Sequence, residues 1–215
     1  MKQVQAASDH FADDLAQLLH WRRDVRHFVG QPLGDGVLDA LLALADCAPS
    51  VGNSRPWRFV RVVSPDLRAR LADHVDAEVA RAGDVYRDAP DREAQYARLK
   101  LHGLHEAPEV LAVFCDGGAA AGHGLGRATM PETLDYSVVL AIHTLWLAAK
   151  ARGIGLGWVS ICDPAFVHAQ IGVPAQWRMI ALLCLGFPKA ASDLPELHRE
   201  GWQANTDWRS RVSDR

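Results

Sequence analysis

Lysine is scarce in this chain. It stands only at Lys2, Lys100, Lys150 and Lys189, so nearly all the positive charge is arginine. Basic charge is not in excess either. Lys and Arg number 23 against 26 Asp and Glu, a net charge of −3, which removes the electrostatic reason to expect nucleic acid. No apolar run approaches the roughly 20 residues needed to span a bilayer, so no membrane association is expected. The N-terminus is polar and acidic instead of leading from basic residues into an apolar run, so no secretory signal is expected. The cysteines, Cys47, Cys115, Cys162 and Cys184, are far apart and form no C-x-x-C pair. That argues against a zinc site or a thioredoxin-like motif, and it points to four free thiols in a reducing cytoplasm. A G-x-S-x-G elbow is absent, which leaves hydrolase chemistry unsupported.

What is present is ordinary soluble-globular composition, 49% apolar and 23% charged, in a chain long enough to bury a sizeable core. No repeat or linker divides it, and a single domain over 1–215 is expected. Ser8 is placed to cap a helix over 9–20, with Phe11, Leu15, Leu18 and Leu19 on one face. A second helix is expected from Asp35 to Ala48, ended by Pro49. Trp57–Val63 reads as a strand, and 65–81 and 88–103 as charged helices interrupted at Gly83 and Pro90. Val110–Cys115 is a continuous apolar run, as in a strand covered on both faces. The Gly/Ala-rich stretch from Asp116 to Met130 reads as a lid or a disordered segment. Pro131 is placed to open a helix over 132–151 that is apolar nearly all round and therefore buried. Trp158–Ile161 and Met179–Leu185 read as strands, with a helix opened by Asp163-Pro164 between them. The polar tail has no clear period; an arm embracing a second subunit fits it, and so does a frayed end.

Two segments concentrate chemistry. Arg22-Arg23-Asp24-Val25-Arg26 groups three guanidiniums around one carboxylate, and Pro49-Ser50-Val51-Gly52-Asn53-Ser54-Arg55-Pro56-Trp57 is a small-residue turn running into a strand. Planar arginine forks match phosphate oxygens in pairs, and a Gly/Asn/Ser loop brings backbone donors close to a ring edge. Together they point to a flat, anionic, phosphate-bearing cofactor. Taken alone, the arginines fit a solvated helix C-terminus equally well. Gly153, Gly155 and Gly157 do not form a dinucleotide fingerprint, because a helix precedes them and a strand follows. They are expected to stop the helix and to let backbone approach a ligand face. His102 and His105 lie three apart, but no Cys or acidic residue completes a metal set near them in sequence, so no metal is expected.

In order and spacing these stretches resemble the FMN-dependent nitroreductase-like family, and within it the flavin-consuming branch that makes benzimidazole. The matching residues are Arg22–Phe28, Ala48–Gly52 through Phe59, Tyr96–Lys100, Thr129–Thr133, Gly157–Ile161 and Leu183–Gly186. The Pro-Ser-x-x-Asn-Ser-x-Pro-Trp loop is shared with ordinary nitroreductases, which usually carry Ser or Thr at the position of Asp24. Arg55 departs from the Gln common to both groups.

The resemblance implies an α+β, three-layer nitroreductase-like fold with a central mixed sheet flanked by helices and a C-terminal arm to a dimer partner. It implies a homodimer with two FMN sites at the interface. Cofactor-binding residues would be Arg22, Arg23, Asp24, Val25, Arg26, Ser50, Asn53, Leu99 and Ser160, with Asp24 and Ser160 catalytic and the 116–131 loop as cover. Reduced FMN, supplied by a separate flavin reductase, would be fragmented with O2 to 5,6-dimethylbenzimidazole, the lower ligand of cobalamin, and erythrose 4-phosphate. Two other readings stay open: an NAD(P)H-dependent nitroreductase or flavin reductase that recycles FMN, and a flavin-binding module without turnover.

Overall fold

A computed structural model describes residues 9–215; the cap expected of Ser8 lies outside the described residues. The elements run α1 (Asp9–Trp21), β1 (Phe28–Val29), α2 (Val37–Ala45), β2 (Trp57–Arg61), α3 (Pro65–Gly83), α4 (Pro90–Arg98), β3 (Glu109–Asp116), α5 (Thr133–Ala151), β4 (Gly155–Val159), α6 (Pro164–Ile171), β5 (Trp177–Pro188) and α7 (Glu196–Arg199).

Alternation along β3 and β5 organises the core. Leu111, Val113 and Cys115 of β3, with Ala181, Leu183 and Leu185 of β5, face one layer, where Leu38 and Leu41 of α2 and Val138, Ile142 and Leu145 of α5 pack. The intervening Val110, Ala112, Phe114, Leu182 and Cys184 face the other, against Leu71 and Val75 of α3 and Val167 of α6. A period of two with both parities apolar is what burial on two faces requires. The three expected layers follow.

Every ladder among the described residues is antiparallel: β2 with β3, and β1, β3 and β4 each with β5. The sheet expected to be mixed is parallel only at the single bridge Asp24↔Leu156. The twelve residues of β5 are long enough to meet three strands: β3 along Trp177–Leu185, β4 along the overlapping Leu182–Gly186, and β1 at Phe187–Pro188. β1, two residues long, carries no readable period.

Other expectations shift at their edges. α5 begins at Thr133, after Pro131, and is buried on one face only; Tyr136, Val139 and Leu140 are 53%, 42% and 44% exposed. Phe11, Leu15 and Leu19 of α1 are likewise exposed in the single chain. α4 stops at Arg98, and Leu99 is extended. β4 starts among the glycines, at Gly155. The expected C-terminal arm packs on its own chain as far as Trp202: its ring meets Tyr86 edge-on at 5.2 Å, and its carbonyl accepts from Arg92 at 3.0 Å. Residues 203–215 are exposed. No helix among the described residues is long and apolar enough to cross a membrane.

Candidate active site

The glycines before β4 position the arginine cluster. Gly153, at φ +72°, turns the chain out of α5. Beyond it, the Val25 N–H donates to Leu156 O at 3.0 Å, laying the 24–25 backbone along β4. A methyl on Gly157 would overlap the Val25 carbonyl oxygen, and one on Gly155 would sit 2.7 Å from Val25 Cγ2. The backbone these glycines admit is thus the chain's own Asp24–Val25, in place of the ligand face expected for them.

Asp24 is the hinge of the cluster. Its Oδ2 accepts from Arg26 Nε at 2.8 Å and its Oδ1 from the Trp158 N–H at 3.0 Å. Arg26 donates in turn to Lys100 O at 3.0 Å, which draws in the segment carrying Leu99. Ser160 follows the end of β4, two residues past Trp158; it is exposed and its hydroxyl has no hydrogen bond within the described chain. Arg22 stacks over the Trp146 ring, 4.8 Å from its centroid, and makes no ion pair among the described residues. Burial, with the neighbouring Arg23 charge, pushes the Arg22 pKa below its ordinary value. Arg23 donates to the Arg22 and Asp193 carbonyls, while its buried Nε has no partner.

Residues of the tail close this cluster into a cleft of about 280 Å3. Lys189, Ser192, Leu194, Glu196 and Arg199 line it opposite Arg23–His27. Lys189 and Arg199 were missed in the sequence, because the tail's polarity has no period that would fold it back. Glu106 braces the region: it accepts from the Phe28 N–H at 3.0 Å and pairs with Lys100 and with Lys189. Burial works to raise its pKa, but the Lys100, Phe28 and Lys189 donors prevail and hold it at about 2.

Ser50 and Asn53 lie elsewhere. The Val51 N–H donates to Ser137 Oγ, near the start of α5, whereas Trp146 Nε1 donates to Arg23 O, near its end. Nine residues at 1.5 Å each separate these anchors by about 14 Å along the helix. The structure therefore ties Asp24 and Arg26 to Trp158 and Lys100, with Ser160 and Leu99 close by along the chain, and leaves Ser50 and Asn53 apart. Several backbone donors of the loop are already used: Val51 N–H on Ser137 Oγ, Asn53 N–H on Ser50 O, Ser54 N–H on Val51 O, and Arg55 N–H on Ser50 Oγ. The Ser50 and Gly52 N–H groups, together with the exposed Asn53 side chain, remain as the loop groups able to reach outward. Arg55, at φ +45°, pairs with Asp46 at 2.9 Å, and Asp46 also accepts from Trp57 Nε1. The 116–131 loop packs over this same segment; a methyl on Gly52 would lie 3.0 Å from Gly122 O.

The orphaned buried Nε of Arg23 and three further cations around the cleft, Arg26, Lys189 and Arg199, with the unpaired Arg22 next in sequence, fit a phosphate-bearing ligand. The chain belongs to the nitroreductase family, which it matches over residues 19–187. It is 55% identical over 194 residues to the 5,6-dimethylbenzimidazole synthase of Rhodospirillum rubrum, covering 90% of this chain and 91% of that one. Its identity to a 5,6-dimethylbenzimidazole synthase of Rhodobacter capsulatus is 51% over 201 residues, 93% of this chain and 96% of the other. Among solved structures it is similar to oxidized iodotyrosine deiodinase bound to FMN and 3-iodo-L-tyrosine, with a TM-score of 0.70 and 26% identity over 83% of this chain and 91% of that one. A BluB-like flavoprotein from Clostridium difficile shares the fold, with a TM-score of 0.66 at 19% identity over 93% and 98% of the two chains.

Proposed function

We propose that the protein is a homodimeric synthase of 5,6-dimethylbenzimidazole that consumes reduced FMN and O2, releases erythrose 4-phosphate, and serves cobalamin biosynthesis. Relatives at 47–55% identity over most of the chain carry that synthase name. The observation that carries the reading is Asp24, held by Arg26 and the Trp158 N–H inside a cationic cleft. In a site built only to bind an anion, a carboxylate there could do no more than orient Arg26.

Reduced FMN would supply both the electrons taken by O2 and the carbon skeleton of the product. Arg22, Arg23 and Lys189 hold the phosphate end, and Leu99 with Val25 lines the adjoining wall. Asp24 takes up a proton on its carboxylate as the base of the fragmentation. Ser160, with a free hydroxyl two residues beyond the Asp24 anchor, positions a reacting group or a water. A flavin reductase in the same reducing cytoplasm furnishes the substrate, and four free cysteines suit that compartment.

The dimer supplies what one chain lacks. Tyr136, Val139, Leu140 and His143 form an exposed strip on α5 between the two anchors at Ser137 and Trp146. A two-fold axis through that strip brings the Ser50–Asn53 loop of one subunit beside the arginine cleft of the other. Photoreduced FMN is given to the purified protein in air and the products are analysed by mass spectrometry. Formation of 5,6-dimethylbenzimidazole is expected; NAD(P)H oxidation with intact FMN, or flavin binding without turnover, would replace this reading.

A further inference from the structure

Outside the cleft, on the α3 side of the sheet, the fold assembles a group of side chains that are far apart in sequence. Asp76 of α3 projects one carboxylate oxygen to His102 Nε2 and the other to His105 Nε2, each at 2.8 Å. One ligand-capable atom from each residue lies within 4.8 Å of the others. Sequence spacing showed only the two histidines; the acidic partner comes from 26 residues earlier, across a helix packing. The expectation that no acidic residue completes the set is therefore corrected.

We propose that Asp76, His102 and His105 form a site for one divalent transition-metal cation, of which Zn2+ is the best match. Two imidazoles and a carboxylate are a donor set that zinc accepts, with water in the fourth position. At bonds of about 2.0–2.1 Å, tetrahedral ligand atoms stand about 3.3 Å apart, so the three ligand atoms, now within 4.8 Å of one another, need a small side-chain adjustment to converge on one ion. His105 and Asp76 are half exposed, which gives the ion an entry path, while His102 is buried and fixed. Burial pushes the His102 pKa down, which favours the neutral imidazole that a metal needs. Partial burial opposes ionisation of Asp76, but the hydrogen bonds from His105 and His102 outweigh it and hold its pKa low. Coordination through His102 Nε2 moves the ring proton to Nδ1 and ends the long 3.4 Å contact from the Leu104 N–H.

The ion would clip α3 to the segment 100–106. That segment also carries Lys100, whose carbonyl anchors Arg26, and Glu106, which anchors Phe28. The site is thus a staple for the wall of the cleft and takes no part in the reaction.

Chelator-treated protein is titrated with Zn2+ by calorimetry, and with Co2+ by visible absorption. One equivalent is expected to bind, Co2+ giving the intense bands of a tetrahedral site, with a rise in Tm. Asp76→Asn and His105→Ala change exposed groups and are expected to stay folded by circular dichroism while losing affinity at least tenfold. Absence of stoichiometric binding, or binding unchanged in both variants, would overturn the site and leave the three residues a hydrogen-bonded clasp.

Discussion

Asp24 has two fixed donors, the Arg26 Nε–H and the Trp158 N–H, and each fixes one of its oxygens. An amide in its place keeps the oxygen that faces Trp158 but presents N–H to Arg26, so the pairing is lost along with the proton acceptor. Asp24→Asn is expected to lower the rate of benzimidazole formation by about a hundredfold or more, the range of a lost general base. A base role predicts that the acidic limb of the kcat/KM pH profile disappears as well; a role confined to orienting Arg26 raises KM for reduced FMN and leaves that limb in place. Glu106 makes a prediction of a different kind. Its folded pKa of about 2 lies below the ordinary value of about 4.3, so its stabilisation is full above the latter and is lost as pH falls toward the former. Urea denaturation of wild type and Glu106→Gln is expected to show a stability gap at pH 6 that closes between about pH 4.5 and 2. A gap that persists unchanged to pH 2 would assign it to packing instead of charge.

At the scale of elements, the approach of residues 24–25 to β4 depends on the absence of two side chains. Gly157→Ala sets a methyl against backbone, which has no flexible end to move aside. A loss of about 1–3 kcal/mol by chemical denaturation is expected, the usual range for overpacking, together with weaker flavin binding. A variant as stable as wild type with unchanged binding would show that the segment can lift without consequence. The same contact shows what the sequence made legible and what it did not. β3, α2, α6 and the long α5 follow from apolar runs, Pro stops and the Asp163 cap, which accepts from the Ala165 N–H. Arg22–Arg26, Asp24 and Ser160 were legible as a group through motif order. The role of Gly155 and Gly157 was not, because a glycine does not announce which backbone approaches it. Asp76 beside His102, and Lys189 in the cleft, were hidden for a related reason: each pairing is made by tertiary packing between segments that share no period.

At the scale of the molecule, the proposed cofactor residues fall into two groups anchored at opposite ends of α5, Ser50 and Asn53 near Ser137 and the arginine cluster near Trp146. Between them runs a strip of Tyr136, Val139, Leu140 and His143 that no part of the described chain covers. Apolar residues at helical spacing on a core helix, left open between those two groups, are most economically covered by the same strip on a second copy, since a two-fold contact is self-complementary. Leu140 is 44% exposed in the single chain, so replacing it disturbs little within the subunit. Leu140→Asp places two charges face to face across such an axis and desolvates both. The variant is expected to sediment as a monomer, to keep the circular dichroism spectrum of wild type, and to form no benzimidazole from reduced FMN, because Asn53 no longer reaches the arginine cleft. A monomer that retains the wild-type rate would mean that one chain completes the site alone, and a variant that remains dimeric would move the interface away from α5.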